Sequence, residues 1–391
     1  MRIAMIGQKG IPTQFGGIER HVEELSRRLG RMGHEVVVYT RAWYLPAGRQ
    51  ARRQYRFSKG VSVVITPTIN TKHLDAIVHT FTATVHAISS GADIIHYHGV
   101  GPSLLSWIPR VFSPRTRVVA TFHCIDRKHQ KWNLVARLML GLGEWAACAF
   151  PHETITVSKT LEAYCRDRYN RDVRYVPNGI AQPGRAGSAA LAKFGLTRGN
   201  YLIMVSRLVR HKGAHYLVKA FQDLEKRQLT RGLKLAIVGD SAFTDDYVAE
   251  LKDLAAGCGN IVFTGYQQGR ELREIFTNAY AVVHPSESEG LPIAVLEAMS
   301  YGKTVLASDI PEIMEVTREH GLNFKNKSVP DLTRKLRHLI AHPELARSKG
   351  RAARTFALAN YHWDDVAKAV DQLYLTLGPG RQKIKAPVPA K

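Results

Sequence analysis

Two carboxylates and two cations carry the chemistry of this chain. Glu289 and Glu297 stand eight residues apart in Glu289-Gly290-Leu291-Pro292-Ile293-Ala294-Val295-Leu296-Glu297. A strand-like apolar run, residues 279–284, precedes them, and a helix-like run, residues 293–299, follows. Gly290-Leu291 therefore falls at a helix entry, where unpaired backbone N–H groups and the helix dipole favour an anion. Glu289 belongs to the loop and Glu297 to the helix, about one turn in. A hydroxyl-rich phosphorylated ligand, such as a nucleotide sugar, suits both. An ordinary strand–loop–helix join with a solvated Glu has the same spacing. Arg207 and Lys212, five apart at a strand exit and helix entry, suit a departing diphosphate, because cations aimed at developing negative charge lower the barrier. Two exposed basic residues of a basic chain would look the same. Gly16-Gly17, just ahead of a helical run from Ile18, offers close backbone approach and a second helix N-terminus, or a plain tight turn.

Other chemistries are disfavoured. Gly7-Gln8-Lys9-Gly10 lacks the G-x-G-x-x-G pattern of a dinucleotide site. There is no Asp-x-Asp motif; Asp245-Asp246 and Asp364-Asp365 are adjacent pairs at helix starts, where acids serve as caps. Catalysis by a bound Mg²⁺ or Mn²⁺ is not expected, no cofactor is implied, and no Ser-His-Asp or Cys-His signature is visible.

The elements around these residues alternate. In the first half, strands are expected at residues 2–6, 35–40, 61–65, 93–96, 118–122 and 154–157, with helices between them. Buried apolar strands separated by helices indicate a parallel sheet covered on both faces. Pro177-Asn178-Gly179 and the Gly-, Ala-, Pro- and Ser-rich residues 180–200 read as an interdomain connection. The pattern then restarts, with strands at 201–205, 234–238, 261–263, 281–284 and 304–307. The expected architecture is α/β: a domain over 1–178, a second over 179–360, a helix over 361–377 and a basic tail over 378–391 that is expected to be disordered. Two such domains put a cleft between their C-terminal strand edges, the usual ligand site of open α/β sheets.

The chain has 391 residues, enough for two cores, and a hydrophobic content of 45%, normal for a globular protein. Its four cysteines are widely spaced and suggest neither a metal site, a redox pair nor a disulfide framework, which fits a reducing cytoplasm. No signal peptide is read at the N-terminus. Residues 134–150 are the most membrane-like stretch, but Arg137 and Glu144 interrupt them, so a core helix is expected rather than a span. The net charge is +22, and residues 1–177 carry 25 Lys+Arg against 12 Asp+Glu. No acid occurs between Glu35 and Asp75, a window holding Arg41, Arg49, Arg52, Arg53, Arg56, Lys59 and Lys72 among Trp43, Tyr44, Tyr55 and Phe57. Such a surface can meet anionic lipid headgroups or nucleic acid.

Taken together, the motifs resemble the retaining glycosyltransferases of family 4, which have the GT-B architecture: two Rossmann-like parallel-sheet domains facing a cleft. The resemblance covers about residues 1–377. In the second half it rests on Val205-Ser206-Arg207-Leu208 with Lys212-Gly213, Val238-Gly239-Asp240, Phe263-Thr264-Gly265-Tyr266, the stretch 285–297, and Ala298-Met299-Ser300-Tyr301-Gly302-Lys303. In the first half it rests on Phe15-Gly16-Gly17-Ile18-Glu19, Ile94-Ile95-His96-Tyr97-His98-Gly99, Thr121-Phe122-His123 and Val176-Pro177-Asn178-Gly179. Gly7-Gln8-Lys9-Gly10-Ile11-Pro12 and Thr71-Lys72-His73-Leu74-Asp75 resemble a bacterial subgroup that includes rhamnosyltransferases of cell-surface polysaccharides.

The resemblance implies roles. Arg207 and Lys212 would hold the diphosphate, Glu289 hydroxyls of the transferred sugar, and Glu297 the ribose hydroxyls. Gly290, Leu291 and Pro292 would line the sugar and phosphate through backbone, and Gly265-Tyr266 would flank the base. His123 would sit near the donor sugar, with His96 and His98 as weaker candidates. The last helix, after Tyr361-His362-Trp363, would cross back to the first domain. The implied partners are a nucleotide-sugar donor, a glycan or polyprenyl-phosphate-linked acceptor and the anionic inner face of the membrane, with no nucleic acid. Two departures stand out: Ser308-Asp309-Ile310-Pro311-Glu312 replaces a loop that often has two glycines, and Cys124-Ile125-Asp126 follows His123 where a small residue is often seen. Another GT-B enzyme, such as a sugar-nucleotide epimerase, and a basic nucleic-acid-binding protein are the competing readings.

Overall fold

The computed structural model describes residues 1–69, 71, 74–128, 134–184, 186–241 and 244–378. Lys72, His73 and the basic tail beyond Gly378 lie outside them. The chain forms two compact units, one of residues 1–177 with the segment from Trp363 onward, the other of residues 178–362.

The first unit runs β1 (Arg2–Ile6), α1 (Gly17–Arg31), β2 (Glu35–Thr40), β3 (Gln54–Ser58), β4 (Val61–Ile65), α2 (Asp75–Ser89), β5 (Ile94–His98), α3 (Val100–Ser103), α4 (Trp107–Phe112), β6 (Arg117–Phe122), α5 (Leu134–Ala149), β7 (Glu153–Thr156), α6 (Lys159–Tyr169) and β8 (Arg174–Tyr175). The strand order is β3-β4-β2-β1-β5-β6-β7-β8. All neighbours pair parallel except β3, which folds back antiparallel on β4. The sequence reading did not foresee that hairpin. The central strands are apolar on both faces because helices cover both, as a parallel sheet requires. Helix α1 turns Val22, Leu25 and Leu29 onto this sheet with helical spacing. Beside it packs the C-terminal helix Trp363–Leu377, whose Trp363, Val366, Val370 and Tyr374 join the same core.

The second unit runs β9 (Tyr201–Val205), α7 (Ala214–Lys226), β10 (Lys234–Val238), α8 (Asp245–Ala255), β11 (Ile261–Gly265), α9 (Gly269–Asn278), β12 (Ala281–His284), α10 (Ile293–Ser300), β13 (Val305–Ser308), α11 (Pro311–Thr317), β14 (Leu322–Phe324), α12 (Val329–Ala341) and α13 (Pro343–Asn360). Its six parallel strands are ordered β11-β10-β9-β12-β13-β14. Leu217, Val218, Phe221 and Leu224 of α7 fill the core over β9 and β10. Asp245 and Asp246 occupy the first turn of α8, behind the N-cap Thr244, and Asp364 and Asp365 the first turn of the C-terminal helix, where acids favour the helix dipole.

Two expectations change. Residues 180–200, read as a connection, belong to the body of the second unit: Ala190 N–H donates to Glu274 Oε2 at 2.7 Å. Helix α5 is not a core helix: only one side of it is buried, and six large apolar residues face outward. No helix among the described residues is long and apolar enough to cross a membrane.

Candidate functional site

The second sheet changes direction at β9: β10 and β11 run to one side of it, and β12, β13 and β14 to the other. In open α/β sheets the ligand crevice lies at the C-terminal strand ends where this reversal occurs. The charged motifs leave from these two ends. Arg207 follows β9, and Glu289 lies in the loop that follows β12.

Gly213 brings them together. Its φ is +74°, and a Cβ there would lie 2.0 Å from the Pro285 carbonyl oxygen, so only glycine lets the 210–213 turn rest against the loop after β12. Glu287 N–H donates across the same contact to the His211 carbonyl at 2.7 Å. This delivers Lys212, whose Nζ donates to Glu289 Oε1 at 2.5 Å. His284 Nε2 lies 2.8 Å from the same oxygen, and a carboxylate there requires the proton to sit on Nε2. Burial alone would raise the Glu289 pKa. The Lys212 charge and the His284 hydrogen bond outweigh it and hold the carboxyl well below the usual range. Glu289 is therefore an oriented carboxylate at neutral pH.

Arg207 is exposed, and its guanidinium makes no hydrogen bond or ion pair among the described residues. Gly290, Leu291 and Pro292 are buried ahead of α10, and Asn178 Nδ2 donates to the Leu291 carbonyl at 2.8 Å, fixing that loop. Glu297 is half-buried on α10. Gly265 ends β11, its carbonyl accepts from Gly239 N–H at 3.0 Å, and the Tyr266 ring beside it is 44% exposed. Sequence reasoning missed His284 and the work of Asn178. A His closing an apolar strand carries no sign that it faces an acid five residues on, and the Asn178–Leu291 pair spans 113 residues.

The first sheet reverses at β1, with β2 on one side and β5 on the other. His98 ends β5, and His123 follows β6. His98 Nδ1 lies 3.3 Å from His123 Nε2, and the His21 ring of α1 is 4.9 Å from the His123 ring. Burial, reinforced by neighbouring imidazoles, keeps the pKa of both His98 and His123 well below the usual value, so both are neutral at pH 7. His96 is structural: its Nδ1 meets Tyr374 Oη at 2.6 Å and its Nε2 meets Thr121 Oγ1 at 2.7 Å. Burial lowers its pKa to about 3.

Gly16 and Gly17 open α1, but the space a Gly16 side chain would fill holds the Glu19 carboxylate, which accepts from Lys9 N–H at 3.0 Å. That glycine serves its own loop. One ring nitrogen from each of His21, His98 and His123 lies within 4.8 Å of the other two, an imidazole set of the kind that ligates zinc. No local pattern groups them, since the three residues come from separate motifs.

The aromatic residues of the 35–75 window turn inward. Tyr44 is buried, and its hydroxyl binds the backbone of Gln14 and Phe15; Tyr55 Oη donates to the Ile11 carbonyl at 3.0 Å; Trp43 Nε1 donates to Asp75 at 3.0 Å. Arg41 is buried beside Asp75 at 3.1 Å. Arg52, Arg53, Arg56 and Lys59 stay exposed along β3 and its flanks, a cationic sheet edge without the expected exposed aromatics.

The family model "Glycosyltransferase Family 4" matches residues 15–181, and "Glycosyl transferases group 1" matches residues 191–356. The chain is 24% identical to glycogen synthase of Mycobacterium tuberculosis, over all of this chain and 98% of that protein. It is 27% identical to a GDP-mannose-dependent alpha-(1-6)-phosphatidylinositol monomannoside mannosyltransferase of the same organism, over 91% of this chain and 94% of that one. Among solved structures, sucrose-phosphate synthase of Thermosynechococcus elongatus superposes with a TM-score of 0.82 at 21% identity, covering 96% of this chain and 98% of that one. With two parallel α/β units, charged motifs at the reversal of the second sheet and family matches spanning both, the chain belongs to the family-4 glycosyltransferases of GT-B fold.

Proposed function

We propose that the protein moves a sugar from a nucleotide-sugar donor to a glycan or lipid-linked acceptor in cell-surface polysaccharide synthesis, with retention at the anomeric carbon. The observation that carries this reading is the Glu289 carboxylate, held by Lys212 and His284 at the sheet reversal, with the unengaged Arg207 leaving the neighbouring strand. A buried acceptor-only group suits sugar hydroxyls, and the two cations suit a diphosphate. The relatives named above include a GDP-mannose-dependent enzyme whose acceptor is a phosphatidylinositol mannoside, which supports a lipid-borne acceptor here.

In the proposed reaction the bond from the anomeric carbon to the diphosphate oxygen breaks with its electron pair on the phosphate. The acceptor oxygen attacks from the same face, and its proton passes to the leaving phosphate. Arg207 and Lys212 stabilise the charge that develops there, a task for which no metal ion is invoked. Glu289 orients the sugar and Glu297 binds the ribose hydroxyls; in the first unit, neutral His123 suits one hydrogen bond to a hydroxyl.

The test is thermal-shift screening against UDP, GDP, dTDP and ADP and their sugar conjugates, with Glu289→Ala in parallel. Stabilisation by one nucleotide, with the sugar-dependent part lost in the variant, supports the reading. No shift with any of them overturns it. An epimerised nucleotide sugar formed without acceptor would make the chain an epimerase, and retention is read from the product's anomeric proton coupling.

A further inference from the structure

Large apolar side chains are unevenly distributed over the surface. Of the seventeen that are exposed among the described residues, eleven lie on α2, α4 and α5 of the first unit. On α5, Leu134, Leu138, Leu142 and Trp145 follow one another at helical spacing, with Val135 and Met139 alongside, and Leu134 is 82% exposed. Small residues, Gly143, Ala146 and Ala147, form the inner side of the same helix, which packs on α3. The amphipathicity of α5 is therefore the reverse of a surface helix's: large apolar groups point outward. Helix α4 adds Trp107, Val111 and Phe112, and α2, which packs on α4, adds Phe81 and Val85. An apolar face of this extent marks a binding surface rather than ordinary scatter.

Its charge identifies the occupant. Between residues 75 and 149 no described acidic residue is exposed: Asp75 is hydrogen-bonded by Trp43 and Thr68, Asp93 by the Arg2 backbone, Asp126 by Cys124, and Glu144 is fully buried beneath Tyr164 and Tyr169. The exposed charges are cations, Arg110 and Arg115 beside α4 and Arg137 on α5. Large apolar and Trp side chains rimmed by arginines without acids are the chemistry of an interfacial helix on an anionic bilayer.

We infer that the outward face of α2, α4 and α5 docks the protein onto an anionic lipid bilayer, with α5 lying in the interface. This places the contact away from the cationic edge at β3, which lies at one end of the first sheet, whereas α5 joins β6 to β7 towards the other end. The inference deepens the proposed function, resting on it only for why a bilayer would be met.

The experiment uses the full chain and acceptor-free vesicles, of phosphatidylcholine alone or with phosphatidylglycerol, so that binding cannot come from acceptor recognition. The wild type is expected to float with the anionic vesicles at least about tenfold more than with the neutral ones. Leu138→Glu with Leu142→Glu is expected to lower flotation about tenfold or more, because two charges must enter the interface. Both positions are exposed, so the variant should keep its nucleotide-induced thermal shift. Arg52→Glu with Arg56→Glu at the β3 edge is expected to change flotation by no more than about twofold. Brominated lipid should quench tryptophan emission less in Trp145→Phe than in the wild type. Flotation of the Leu138/Leu142 variant like the wild type, or loss of flotation confined to the β3 variant, overturns the inference. So does a wild type that ignores vesicles; a dimer by light scattering that the Leu138/Leu142 variant makes monomeric would assign the face to a second copy. Vesicle binding without any nucleotide response would leave the docking surface standing and remove the transferase reading.

Discussion

The two units share one plan and fill it with opposite chemistry. Each is a sheet, parallel but for the β3 edge of the first, that reverses at its first strand, β1 or β9, and each puts sequence motifs at the strand ends near that reversal. In the second unit the position holds fixed charge: a carboxylate clamped by an ammonium and an imidazole, and an exposed guanidinium. In the first it holds neutral imidazoles, His98 and His123, packed against His21. The lesson is that the fold supplies the place and the side chains the task. A charged, preorganised end suits a nucleotide diphosphate; a neutral, hydrogen-bonding end suits hydroxyls without attracting the phosphate.

The largest effects should come from the charged end. Glu289→Ala, Lys212→Ala and Arg207→Ala are each expected to lower kcat/KM by roughly two decades or more, as for loss of a transition-state contact. Steady-state kinetics on the identified donor checks this, and wild-type rates in all three would erase the contrast. His284→Asn should lower turnover less, because Lys212 still holds the carboxylate; a loss as large as that of Glu289→Ala would make His284 an equal partner.

Acid should act on the neutral end first. His79, His96, His98 and His123 all have pKa values pushed down by burial, His79 and His96 to about 3. Unfolded imidazoles take protons near pH 6.5 that the folded ones refuse. Stability is therefore full above that pH and falls below it, by up to about 1.4 kcal/mol per pH unit for each group. Glu289 has a depressed pKa, so its contribution is present above its unfolded value near pH 4.5 and fades only as the pH drops towards its lower folded pKa. Hydrogen exchange at pH 7 and 5.5 should show β5 and β6 losing protection before β9 and β12. The opposite order would show that the units do not differ as their titratable groups suggest.

Two smaller effects sharpen the contrast. Glu297→Ala should raise the donor KM about tenfold with kcat little changed; a fall in kcat alone would contradict ribose binding. A chelator should leave the rate unchanged if Arg207 and Lys212 replace a metal. Loss of activity restored by zinc would instead give the His21, His98 and His123 set a ligand.

Much of the plan was legible in the chain. Parallel strands must be apolar on both faces, so β1, β5, β6, β9, β10 and β12 stand out locally, and helices between them force a covered sheet. The edge strands β3, β8 and β14 did not, because short, half-exposed strands lack that pattern. The 35–75 window shows the limit of composition: its aromatics bind backbone of the same unit, and only its cations remain outside. Helix α5 shows the converse, since an apolar run reads the same whether its large residues point in or out.

By itself the sequence determined the residue types and their local spacing: Arg207 five before Lys212, Glu289 eight before Glu297, and a glycine directly after Lys212 and after Glu289. Those follow from rules that act within a few residues, such as helix entry, strand burial and backbone freedom. Only the tertiary structure decided that Lys212 and His284 meet one oxygen of Glu289, that Asn178 holds Leu291, that His96 is tied to Tyr374, and that the apolar side of α5 faces outward. The Lys212, Asn178 and His96 contacts join residues 77, 113 and 278 positions apart, and no local rule specifies a partner at that distance. Sheet order and close packing set those contacts, and they become definite only when the whole chain has folded.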